Sequence, residues 1–238
     1  MLFSKNKTKL YCFSPPVMLA TFILEILLAV YAYLRYKATL FSHLVVVIII
    51  LLSGFQLTEY RICGGENALL WARTGFVIIT LLPVLGLHLI SLITNKLSYL
   101  KLGYIAMLLF VFIFALVPGS LTNTVCGGNY IIFNSQQNLM WPYGIYYFGF
   151  LFLGIWEAFE FLQKKKSEAL EWIMIGYISF MLPMGIVYII SPSVRSAVPS
   201  VMCGFAIILA LILALKVVPE YNRENKKLIK QKIKKLKR

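Results

Sequence analysis

The sequence predicts an all-α integral membrane protein: a heptahelical bundle with its N-terminus outside and its C-terminus inside. Three observations predict it: the composition, seven long apolar runs, and the distribution of cations. Of 238 residues, 60% are hydrophobic and 13% charged, and the mean hydropathy is +0.82. A soluble domain carries about 45–50% apolar and roughly 25% charged residues, so this chain lacks the polar surface that a water-facing globule needs. A soluble enzyme, a nucleic-acid-binding module and a disordered chain are thereby excluded. The net charge of +14 does not indicate nucleic acid, because ten of the 23 Lys and Arg crowd between Lys216 and Arg238 instead of covering a folded face. All nine acids are Glu.

A bilayer core takes about 20 predominantly apolar residues per helix. Seven segments meet that length: 16–34, 40–58, 68–93, 99–117, 142–162, 170–190 and 197–218. The domains are then a short extracytoplasmic N-terminus (1–15), a transmembrane domain (16–218) and a basic cytoplasmic tail (219–238). The runs are continuous instead of alternating, which excludes a β-barrel, and no small-residue cleavage site follows the first run.

Taken in order, span one holds Glu25 near the midplane. An ionisable group at that depth is costly and marks a functional candidate; Gln56, Ser53, Thr80 and Arg73 are its expected donors. Span two carries His43 and ends near Gln56 and Glu59, before Cys63-Gly64-Gly65. Span three opens with Trp71-Ala72-Arg73, contains Pro83 and approaches His88. Glu59 and Arg73 are placed to form an ion pair across that first outer loop. Span four leads to a connection from Pro118 to Trp141, too short to fold alone, containing Cys126-Gly127-Gly128. Span five opens with Trp141 and Tyr143, which with Trp71 read as an interfacial aromatic belt, and carries Glu157 and Glu160. Span six contains Pro183. Pro83 and Pro183 each remove a backbone hydrogen bond and are candidate hinges. After span seven, the segment from Lys226 to Arg238 carries eight cations and no acid, with Ile229, Ile233 and Leu236 at helical spacing. Such a helix is expected on anionic lipids.

Counting spans places seventeen cations on the side of the C-terminus and six on the other; without the tail the ratio is seven to six. By the positive-inside rule the C-terminus is cytoplasmic, and the tail decides it. The two Cys-Gly-Gly triplets fall on one face, where Cys63 and Cys126 pair in a disulfide if that face is oxidising; two unpaired loop thiols are the alternative. Cys12 and Cys203 read as apolar fillers. Two His and two Glu near the inner side fall short of a metal site, because no HxxxH or ExxH spacing presents two ligands on one helix. No catalytic motif and no cofactor motif is visible.

From Glu59 to His88 the chain reads EYRICGGENALLWARTGFVIITLLPVLGLH. Later, Trp141-Pro142-Tyr143-Gly144 opens an aromatic span, and KKKSEALEWIMIGYISFMLPMGIVYII gives a charged turn and a proline-bearing span. This order resembles the N-terminal seven-transmembrane region of bacterial sensor histidine kinases, over about residues 16–218. The resemblance implies a sensory input domain wired to a cytoplasmic output. After Pro219, only EYNRENKKLIKQKIKKLKR follows, without a phosphoacceptor helix or nucleotide lid. A sensor of this kind is expected to report to a separate kinase or cyclase. Its expected ligand-binding residues are Glu25, Gln56, Glu59, Trp71 and Arg73, polar groups that converge in the outer half. A small-solute transporter or channel is the alternative, since prolines in matching positions can mark inverted repeats.

Overall fold

The computed structural model describes residues 15–36, 39–65, 67–126, 131–190 and 197–236. Cys12, Lys37, Arg195, the glycines after Cys126 and the last two residues of the tail lie outside the described residues, as does the side chain of Cys203.

The helices are α1 (Pro15–Arg35), α2 (Leu40–Cys63), α3 (Ala68–Thr94), α4 (Leu100–Leu116), α5 (Gln137–Lys164), α6 (Glu168–Ile190) and α7 (Val198–Ile212). A π turn, Leu213–Val217, joins α7 to α8 (Val218–Leu236) with no interruption of the helix. Six helices, counting α7 and α8 as one, are long and apolar enough to cross a membrane. The apolar α4 has 17 residues and is shorter.

Short connections make consecutive helices antiparallel, which gives the bundle two ends. Local chemistry sets their boundaries. Thr39 caps α2 by accepting from Ser42 N at 3.1 Å. Asn95 closes α3 in the left-handed conformation that Asn tolerates. Leu, Ile and Phe on α1, α4 and α5 remain exposed; in a bilayer those faces meet lipid.

The connection from Pro118 to Trp141 contains two strands that the apolar pattern did not predict. β1 (Leu121–Cys126) pairs antiparallel with β2 (Ile131–Ser135). Leu121, Ile131 and Phe133 turn inward from this ribbon onto Phe55, Phe76 and Phe114. The short segment is thus stable as a lid on the bundle and not as a separate unit. Cys126 at the end of β1 lies at disulfide distance from Cys63, with their Cα atoms 5.3 Å apart.

Two apolar cores fill the bundle. One lies beneath the hairpin, among α2, α3, α4 and α5. The other occupies the opposite half, with α6 and α7. Tyr143 belongs to the first. At 6% exposure, with its ring among Phe76, Phe110 and Phe114, it is a core residue and not part of an interfacial belt. Trp141, 72% exposed, keeps the belt position.

Candidate functional site

Two carboxyl groups lie buried together beneath the hairpin. Glu25 on α1 is 0% exposed, and Glu59, one turn before the end of α2, is 1% exposed. They are close enough for the Glu59 charge to act on Glu25. The Glu59 carboxyl is hydrogen-bonded to the hydroxyl of Ser200, in the first turn of α7. Ser200 Oγ in turn accepts from the backbone N–H of Ile131, at the start of β2, at 3.2 Å. A polar chain therefore runs from the hairpin backbone through α7 to α2, with α1 alongside. The first turn of α7 presents the positive end of its helix dipole to Glu59.

The chain ends without compensation. Among the described residues, neither oxygen of Glu25 has a hydrogen-bond partner, nor has Glu59 Oε1. Four expected donors do not reach Glu25, and three are occupied for visible local reasons. Ser53 Oγ donates to Ile50 O at 3.1 Å and Thr80 Oγ1 to Phe76 O at 2.6 Å, the back-bonding that Ser and Thr favour within helices. The Arg73 guanidinium donates to Ala115 O and Val117 O, at 3.0 and 3.2 Å. Gln56, one turn before Glu59 on the same face of α2, is buried and engaged elsewhere than with Glu25.

The expected Glu59–Arg73 ion pair is thus not formed. Arg73 turns to α4 because the last carbonyls of that helix have no intrahelical partner and lie within reach. Trp71 stays half-buried, with the Arg61 guanidinium 5.6 Å from its ring centroid. Of the five expected ligand-binding residues, the structure brings Glu25 and Glu59 together, keeps Gln56 on the same face of α2 as Glu59, sets Trp71 against Arg61 and turns Arg73 to the end of α4. Ser200 was not anticipated. A serine in an apolar run carries no spacing signal, and its partners are distant in sequence.

Pro83 lies within an uninterrupted α3, and Pro183 within α6. The carbonyl of Thr80, three residues before Pro83, accepts from Tyr146 OH on α5 at 2.6 Å. The carbonyl that Pro83 leaves without its helical N–H is that of Ile79, four residues before it, so this bond ties α3 to α5 beside the proline and does not replace the one that is lost. Close by, between α3 and α6, a small apolar cavity of about 30 Å³ is lined by Leu52, Gly86, Tyr177 and Met202 among others, a space on the scale of a single water.

At the opposite end, His88 Nδ1 meets Tyr104 OH at 2.7 Å, and His43 lies beside Tyr33. Glu160 bonds Lys96 at 2.5 Å and Lys164 at 2.9 Å. The bond to Glu160 holds the Lys96 ammonium above its ordinary pKa. Among the described residues, no three His, Cys or acidic side chains cluster so as to hold a metal ion.

Comparison with protein-family models, with curated proteins and with solved structures gave no match.

Proposed function

We propose that this protein is a receptor-like membrane sensor module, with the Glu25–Glu59 pair as its responsive group. One observation carries the reading: the helix whose first turn holds Ser200 against Glu59 continues unbroken through α8 to the basic end of the molecule. A change at the carboxyl pair therefore bears directly on a rigid element that reaches the opposite face. The pair suits a switch because two buried carboxyl groups with unpartnered oxygens are unfavourable. Taking up a proton or a small cation relieves that cost. A ligand shifts the bundle only as far as it favours one arrangement over another.

The hairpin end is the extracytoplasmic end in this reading. The Cys63–Cys126 pairing suits an oxidising compartment, and the cations of α8 suit the cytoplasmic leaflet of the cell membrane. The expected output is a separate kinase or cyclase, as in the sensor histidine kinases whose input regions the sequence resembles. A transporter remains the second reading, favoured by the same pair, because intramembrane carboxyls also mark proton and cation pathways.

The two readings part in one experiment. A spin-labelled pair, one label on α8 and one at the start of α4, is placed in nanodiscs and titrated from mildly acid to mildly alkaline conditions. The sensor reading expects a label distance that shifts with pH, no shift in Glu25→Met, and no proton or cation flux in proteoliposomes. Glu25→Met removes an unsatisfied buried group and is expected to raise stability by about 1–3 kcal/mol, so its loss of response is not loss of fold. Flux that disappears with Glu25→Met would establish the transporter instead.

A further inference from the structure

We propose that the Cys63–Cys126 bond is a thiol-responsive latch on the buried carboxyl pair. Closed, it holds Ser200 against Glu59 and keeps water off both carboxyls; a dithiol opens it. The latch rests on the reading of Glu25 and Glu59 as the responsive group and supplies its regulation.

A closed ring of contacts runs through Glu59. Glu59 and Cys63 lie four residues apart on α2, one turn along the same face. Cys63 pairs with Cys126, the last residue of β1. Cys126 stands opposite Ile131, the first residue of β2. The Ile131 N–H donates to Ser200 Oγ at 3.2 Å, and Ser200 is hydrogen-bonded to Glu59. The disulfide therefore ties down the end of the ribbon that gives Ser200 its donor. Ile131, Ser200 and Glu59 are no more than 1% exposed, so that side of the ring is closed to solvent. The other side is open: Cys126 is exposed and Cys63 half-buried. A thiol reaches the bond without entering the bundle.

The chemistry is thiol–disulfide exchange. One thiolate of the dithiol attacks a cysteine sulfur and forms a mixed disulfide, and the other cysteine leaves as a thiolate that takes up a proton. The second thiol of the reagent then displaces the first cysteine in the same way. The dithiol ends as its cyclic disulfide, oxidised by two electrons, and the protein holds two thiols. Without the covalent tie this end of the ribbon opens locally, as strand ends held by few bonds do, and the chain from Ile131 to Glu59 opens with it. Phe133 stays against Phe55 and Phe76, so the ribbon loosens at one end and remains in place.

Carboxyl labelling tests the latch without reference to signalling. Wild-type protein in nanodiscs is treated with a water-soluble carbodiimide and glycine ethyl ester, with and without prior reduction by dithiothreitol, and each Glu is followed by peptide mass spectrometry. Reduction is expected to raise the labelling rate of Glu59 about tenfold, the weight of one hydrogen bond. Glu157, buried at the other end of the bundle, should not change. Cys63→Ser/Cys126→Ser should label at the raised rate without reductant, and Ser200→Ala should lose most of the difference between the two redox states. Equal Glu59 rates in the two states, or a full difference retained in Ser200→Ala, would overturn the proposal. So would a parallel rise at Glu157, because the bond would then staple the whole fold. A redox-dependent Glu59 rate alongside a label distance that ignores pH would leave the latch standing and discard the responsive-group reading; the reverse result would discard the latch alone.

Discussion

Arg73 lies at the same end of the bundle as Glu59, yet both its terminal nitrogens go to the carbonyls of Ala115 and Val117. Opposite charge at equal depth is a weak guide when the end of a neighbouring helix offers carbonyls that have no intrahelical partner. Glu25 makes the converse point. Its depth and its cost were readable from its position in an apolar run, but that no donor among the described residues reaches it depended on four other helical side chains choosing their own partners. Gly86 is decided by a similar close approach. A Cβ there would overlap the Tyr177 hydroxyl and lie 3.1 Å from Cζ, and Tyr177 is itself packed among Phe180, Leu87 and Ile90 near Gly154. Gly86→Ala should therefore cost about 1–3 kcal/mol, seen as a lower unfolding temperature in detergent. Adding Tyr177→Phe should restore part of the loss, since the hydroxyl is removed while the ring contact stays. An unchanged unfolding temperature for Gly86→Ala would mean that the two helices do not approach so closely.

Among the elements, α8 shows how a segment that reads as a basic tail on the lipid surface becomes part of the fold. Its first half is bound to the start of α6. Glu224 Oε1 accepts from the backbone N–H of Glu168 at 2.7 Å and of Ala169 at 3.4 Å, and Oε2 accepts from Ser167 Oγ at 2.9 Å. Ser167 Oγ also accepts from Leu170 N at 3.3 Å. The first N–H groups of α6 are thus capped by a carboxylate from another helix, at the end where the dipole favours negative charge. Arg223 pairs with Glu168, and Tyr221 stacks on Phe41 at 3.8 Å. Glu224→Ala should destabilise the protein by about 0.5–2 kcal/mol, and Glu224→Gln by less, because the amide oxygen still accepts while the charge is lost. Thermal unfolding of the two variants side by side measures this; equal stability of Glu224→Ala and wild type would remove the cap. Beyond Asn225 the character changes. Ile229 and Ile233, two of the three apolar residues whose spacing predicted a helix here, are exposed beside lysines, as is Leu228; the side chain of Leu236 lies outside the described residues. The hairpin is the reverse case. Its strands are short and its inward residues, Leu121, Ile131 and Phe133, are too few to give a clear alternating pattern before the bundle beneath them is known.

For the whole molecule, the strongest topological signal is the charge of the last segment. A reporter fused after Arg238 is expected in the cytoplasm, and replacing most of the cations from Lys226 onward by Gln should weaken or scramble the orientation, since the remaining loops stand at seven cations to six. Uniform, unchanged orientation in a reporter assay would show that the loops alone set the topology. The sequence by itself determined the class of solvent and the positions of the helices, although α2 runs on to Cys63, α5 begins at Gln137 and the last helix continues to Leu236, each five residues or more beyond the expected span. Long continuous apolar runs cannot satisfy their backbone groups in lipid in any other way, and a run of about 20 residues specifies its own helix without help from distant contacts. It also placed Cys63 and Cys126 on one face, because alternating direction is a matter of counting. Only the tertiary structure decided which polar side chains meet. Glu59 with Ser200, Ser200 with Ile131, Arg73 with the end of α4, and Glu224 with the start of α6 each join elements far apart in sequence. Such pairings depend on helix rotation and packing, which a uniformly apolar pattern leaves undetermined.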